Sequence, residues 1–88
     1  MAQINIKLPA SLAKENKFVV DASNLQQAFE KIGQMNRHAF DVLFRESGPG
    51  FIPKAFVAMF VNDDQAFDVY LPLSDGDRVS FDVAIAGG

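Results

Sequence analysis

The residues best suited to chemistry in this sequence are Gly87 and Gly88. Gly88 offers a carboxylate on a carbon with no side chain, and Gly87 lets the backbone thread a narrow slot or bend inside a partner. The pair follows a strand-like alternation of Val79, Phe81, Val83 and Ile85 rather than a helix. The reading is that the Gly88 carboxylate is itself the reactive group, with Gly87 and Ala86 providing access. A frayed terminus is the competing explanation. Side-chain constellations are poorer. His38 and Asp41 share a helical spacing, but one His and one carboxylate are too few for a metal site. Asp63-Asp64 and Asp75-Gly76-Asp77 lack the ligand spacing and terminal Glu of a calcium loop. Ser47-Gly48-Pro49-Gly50 lacks the Gly-Lys-Ser/Thr end of a phosphate loop. Neither a metal nor a bound cofactor is expected.

Composition narrows the classes further. The chain has 88 residues, enough for one small domain with a thin margin of core. Apolar residues make up 49%, so the chain folds rather than staying disordered. There is no Cys, which excludes disulfides, thiolate metal sites and a cysteine nucleophile. Net charge is −3 and unevenly placed: beyond residue 50 the only cations are Lys54 and Arg78, against six Asp. This disfavours nucleic acid as a partner and favours a basic protein surface. No basic segment leads into an apolar run at the N-terminus, and no apolar stretch approaches ~18 residues. A cytoplasmic protein without a membrane partner is expected.

The elements that must position the glycine pair can be read in order. Gln3 to Leu8 alternates and predicts a strand that Pro9 ends. Lys17 to Val20 predicts a second strand returning as a hairpin. Ser23 and Gln26 fit a capping box, followed by an amphipathic helix with Leu25, Ala28, Phe29, Ile32 and Met35 inward. A continuous helix to Phe44 would run about 33 Å, too long here, so a second piece is expected at His38–Phe44 with Ala39, Val42 and Leu43 inward. Ser47 to Gly50 is a loop. Ala55 to Val61 is a strand apolar at every position, with most of Phe56 to Phe60 expected in the core. Asn62 to Gln65 is a turn, Ala66 to Leu71 a weak strand, and Pro72 to Asp77 a turn with Gly76 at positive φ. Arg78 to Ile85 is the last strand. A hairpin, a crossing helix and further strands give an α+β fold. A right-handed crossover places the last strand parallel to the first in mid-sheet. That is a β-grasp: a mixed four- to five-stranded sheet with one main helix on one face. Residues 1–83 form the domain, and 84–88 a flexible tail launched from a central strand.

Val61-Asn62-Asp63, Pro72-Leu73-Ser74-Asp75-Gly76-Asp77-Arg78-Val79-Ser80-Phe81 and Ala84-Ile85-Ala86-Gly87-Gly88 closely resemble the ThiS/MoaD family of ubiquitin-like sulfur carriers. That family serves thiamine, molybdopterin, cysteine and natural-product synthesis. The likeness covers the C-terminal third; the remainder matches in element order. It implies a protein cosubstrate rather than an enzyme. A ubiquitin-activating-type enzyme spends ATP to adenylate Gly88, and a persulfide donor converts it to a thiocarboxylate. A sulfur-accepting synthase subunit then takes the sulfur; a metalloprotease or sulfurtransferase is a further implied partner. Each step answers a physical need, because an ionised carboxylate with a pKa near ~3.5 is a very poor electrophile. Ile85 to Gly88 gives roughly 13 Å of reach if extended. Asp82 departs from the apolar residue common in relatives, so Ser80 and Asp82 are expected to face solvent. The tail Ala84-Ile85-Ala86 suits a cysteine or natural-product carrier as well as the small subunit of molybdopterin synthase. Two other functions share the same residues: a modifier conjugated through Gly88 to lysines, and a β-grasp interaction module in which the tail is dispensable. An exposed Phe or Met on the sheet face away from the helix would mark a partner surface.

Overall fold

The computed structural model describes residues 2–83. The alternating segments become β1 (Gln3–Lys7) and β2 (Lys17–Asp21), paired antiparallel from Gln3↔Asp21 to Lys7↔Lys17. Two helices follow, α1 (Leu25–Met35) and α2 (Arg37–Leu43). Next come β3 (Phe44–Ser47) and β4 (Gly50–Pro53), which form a separate two-stranded sheet. β5 (Val57–Val61), β6 (Asp64–Gln65) and β7 (Arg78–Val83) complete the main sheet, whose order is β2-β1-β7-β5-β6. β7 runs parallel to β1 and antiparallel to β5. The last strand is therefore central, as the crossover argument expects. The tail expected at 84–88 lies outside the described residues.

Register puts Ile4, Ile6, Val20, Met59, Val79 and Phe81 on one face of this sheet, and all six are buried. Against them lie Leu25, Ala28, Phe29 and Ile32 of α1, all fully buried. The Phe29 ring stacks 4.5 Å from Phe44, and Phe44 meets Phe81 edge-on at 5.4 Å. Phe40 continues the chain of rings, 5.1 Å from Phe44 and 5.0 Å from Phe51. Such pairs add about 0.5–1.5 kcal/mol each beyond the area they bury. The aromatic chain ties both helices and the β3–β4 hairpin to the centre of β7.

Several expectations need correction. The N-cap of α1 is Asn24, whose side chain accepts from the Gln27 amide, while Gln27 Oε1 accepts from the Ser23 amide. Asn24 and Gln27 thus take the places expected for Ser23 and Gln26, with the return bond falling on the amide before the cap. The cause is tertiary: Ser23 O accepts from the Leu73 amide and the Leu25 amide donates to Leu71 O. These bonds hold the entry extended, so the helix starts later. Met35 is 60% exposed rather than inward. Asn36 ends α1 and caps α2, and the Phe40 ring lies 3.2 Å from where a Gly33 Cβ would sit. Phe40 thus fills the core in place of Met35, and Val42 is only half-buried. Phe44 belongs to β3, not to the second helix. Ser47 to Gly50 is a loop only at its tip: Gly48, with φ of 59°, turns a hairpin. Ala66 to Leu71 forms no strand. Pairing ends at Gln65, and Asp68 then makes a turn by accepting from the Tyr70 and Leu71 amides. Of Phe56 to Phe60 only Met59 is buried; Val57 packs half-buried on the core, while Phe56 is 43% exposed.

Candidate functional site

Ala86, Gly87 and Gly88, the expected site residues, lie outside the described residues. Their mount is described. β7 alternates exposed and buried through Arg78-Val79-Ser80-Phe81-Asp82-Val83, with Val79 and Phe81 in the core. Ser80 is half-buried and Asp82 exposed on the outer face, as expected. β1 flanks β7 from Asn5↔Arg78 to Lys7↔Ser80, and β5 flanks it through to Val57↔Val83. Residues 84–88 thus follow a strand whose last described position is still paired.

The Pro72–Asp77 segment sits at the other end of this strand. Gly76 takes φ of 88°, a backbone shape that an L side chain rarely adopts. Asp77 Oδ2 accepts from the Ser74 amide at 2.8 Å, and Oδ1 accepts from Asn62 Nδ2 at 2.9 Å. These two bonds, the Ser74 amide first, hold the Asp77 carboxyl below the ordinary value of 3.8. Asn62 Oδ1 in turn accepts from the Arg78 amide at 2.9 Å. Asp75 Oδ1 accepts from the Gln3 amide, and Gln3 O accepts from the Gly76 amide. One turn thereby joins the start of β1, the start of β7 and the β5–β6 turn. Asn62 and Asp63 make that last turn with φ of 52° and 72°, the two-residue shape that matches strand twist. The residues that carry the family resemblance here are therefore structural anchors.

The outer sheet face, opposite α1, forms an open groove of about 910 Å³ that includes Lys7, Lys17, Val19, Phe60, Arg78 and Asp82. Val19 is 56% exposed and Phe60 half-buried, while Met59 points into the core. The expected mark of a partner surface was an exposed Phe or Met on this face; Phe60 is half-buried, and the exposed apolar side chain here is Val19. His38 is exposed, and Asp41 is engaged by Arg37 at 3.1 Å. Among the described residues no three His, Cys, Asp or Glu side chains gather as metal ligands would. No helix of the described residues is long and apolar enough to cross a membrane.

The sequence read Gln26 as the capping-box partner of Ser23 and gave Phe67 no role; the structure gives Gln26 another task. Gln26 Oε1 accepts from the Phe51 amide at 2.9 Å and Nε2 donates to Phe51 O at 2.6 Å. It pins β4 to α1 as a strand neighbour would. Phe67 is 82% exposed. Its signal was a large ring next to Asp68 in a segment with no clear alternation.

Solved structures share this fold. The chain matches the solution structure of small archaeal modifier protein 1 from Methanosarcina acetivorans at TM-score 0.83 and 14% identity, covering 100% of this chain and 98% of that one. It matches a chain of the Amycolatopsis orientalis BexX/CysO complex at TM-score 0.81 and 17% identity, over 97% and 99%. A chain of the complex of subunits 1 and 2 of molybdopterin-converting factor from Helicobacter pylori gives 0.66 and 21%, over 98% and 99%. No family model and no curated protein sequence matches the chain. The fold is the ubiquitin-like β-grasp.

Proposed function

We propose that this protein is a ubiquitin-like sulfur carrier of the ThiS/MoaD kind, a protein cosubstrate that acts through the Gly88 carboxylate. A ubiquitin-activating-type enzyme uses ATP to place AMP on that carboxylate, releasing pyrophosphate. The outer sulfur of a persulfide then displaces AMP to give an acyl disulfide, and a thiol reductant cleaves its S–S bond, leaving the thiocarboxylate and carrying off the donor sulfur as a disulfide. A sulfur-accepting synthase subunit consumes it. Gly87 and Ala86 carry the carboxylate into both active sites, and the reactions run in the cytoplasm.

The observation that carries this reading is β7. It is a central strand, anchored at Arg78 by the Asp77 network and paired to Val83 by β5, directly before residues 84–88. A partner that must pull a short tail into its active site needs a mount that does not yield. The fold likeness to a CysO complex and to a molybdopterin-converting factor complex supports the same reading. The likeness to a small archaeal modifier supports a second one, conjugation through Gly88 to protein lysines.

Intact-mass measurement tests both. With its activating enzyme, ATP and a sulfur donor, the chain is expected to exchange one oxygen for one sulfur. Deletion of Gly88 is expected to abolish the exchange. An unchanged mass, without ATP–pyrophosphate exchange, overturns the carrier reading. Lysines of other proteins joined to Gly88 by an isopeptide bond, seen as a Val79–Gly88 remnant after trypsin, would instead establish the modifier.

A further inference from the structure

A second concavity lies at the Arg78 end of β7, away from Val83. It measures about 490 Å³ and is bounded by the β5–β6 turn and the segment 66–72. Val61, Phe67 and Leu71 give it an apolar floor and wall, and Asp64, Asp68 and Asp77 line it with carboxylates. Among the described residues no Lys, Arg or His lines it. Arg78, the nearest cation in sequence, faces the outer sheet groove and pairs with Asp63 at 3.2 Å.

A single exposed ring is ordinary on a protein surface. The setting of Phe67 is not ordinary, because a ring that is 82% exposed shares one concavity with three carboxylates. An apolar partner alone would desolvate those charges without compensation. A second copy of this face would set three carboxylates against three. A divalent cation is not matched, because among the described residues no three carboxylates converge as metal ligands would. A guanidinium meets every requirement. It stacks flat on an aromatic face, forks to carboxylates, and gives up hydration more readily than an ammonium.

We propose that this groove docks an arginine-bearing segment of a protein partner, with Phe67 as the stacking platform and Asp64, Asp68 and Asp77 as the charge match. Arg78 and Val83 are separated by about 17 Å along the strand. The groove therefore holds its partner at the pole opposite the mount of residues 84–88. This inference stands apart from the sulfur-carrier reading and requires no reaction at Gly88.

The test is an NMR titration of the full chain with an acetylated, amidated tetra-arginine peptide at low salt. Amide and ring shifts are expected to concentrate on residues 64–72 and on Phe67. Phe67→Ala is expected to weaken the affinity roughly 2- to 5-fold, the size of an exposed cation–π contact. Its amide spectrum reports that the fold is kept. Asp64→Asn with Asp68→Asn is expected to weaken binding further. About 1 M salt, where the screening length falls to about 3 Å, is expected to suppress it. Deleting Gly87 and Gly88 is expected to change nothing in this titration, so its outcome is separable from that of the carrier test. Three results each overturn the proposal: shifts spread evenly over every acidic residue, an affinity unmoved by Phe67→Ala, or self-association of the free chain that Phe67→Ala dissolves.

Discussion

The two ends of β7 are built differently. At Arg78 the strand is knotted by backbone and side-chain bonds from Asn62, Asp77, Ser74 and Gln3. At Val83 it is paired on the β5 side, after the β1 ladder has stopped at Ser80. The knotted end has polar side chains and hydrogen bonds in quantity, the usual signs of an active site, yet its bonds go to the protein itself. The other end leads to the glycine pair to which the proposed chemistry is assigned. Polar density thus marks the anchor, and the residues with no side chain to speak of mark the proposed site.

The sharpest way to break this contrast is at the tail. Deleting Gly87 and Gly88 is expected to abolish thiocarboxylate formation while leaving the melting temperature unchanged; a loss of stability would unite the two ends. Next in size is the strand between them. Phe81→Ala removes a ring that contacts Phe29 and Phe44 and is expected to cost about 3–5 kcal/mol in denaturant unfolding. A marginal domain of this length loses much of its stability by that change. Gly76→Ala is expected to cost about 1–2 kcal/mol. The penalty comes from backbone conformation alone, because nothing lies within 4 Å of the added Cβ.

Asp77→Asn is the finest probe of the anchor. It is expected to cost on the order of 1 kcal/mol at neutral pH, after the screening that water gives a half-exposed group. The sign follows from a carboxyl held lower in the folded state than in the unfolded one. Its stabilisation is fully present above the ordinary value of 3.8 and is lost as pH falls through the lower folded value. The gap between Asp77→Asn and the parent is therefore expected to shrink in urea titrations as pH falls below 3.8 and through the lower folded value. A gap independent of pH would show that geometry, not charge, does the anchoring. The exposed Arg78–Asp63 pair lies at the same end. Asp63→Asn is expected to change stability by no more than about 0.5 kcal/mol.

Much of this architecture was legible in the residues. Alternation at Ile4 and Ile6 and at Val79 and Phe81 marked inward faces correctly, because a strand has only two sides. Gly76 in its turn and the centrality of the last strand followed from local stereochemistry and crossover handedness. The strands β3 and β4 were not legible. Their residues have no clear alternation, and what holds them is Gln26, a distant side chain that mimics a strand neighbour. The same is true of Met35 and Phe40. Both stood near the end of an apolar pattern, and only the return of α2 across Gly33 decided which entered the core.

The sequence by itself determined where β1, β2, β5, β7 and the two helices would form, which side chains of β1 and β7 would be buried, and that Gly87-Gly88 is the feature most suited to chemistry. Each of these is set by periodicity or by the conformational freedom of single residues. Tertiary structure alone decided that Asn24 rather than Ser23 caps α1, that Gln26 docks a hairpin, and that the Pro72–Asp77 residues bind the chain to itself. It also placed Phe67 in one concavity with Asp64 and Asp68 from its own stretch and Asp77 from the next turn. The reason is physical: a pattern states which residues share a surface, and only the folded chain states what lies across from it.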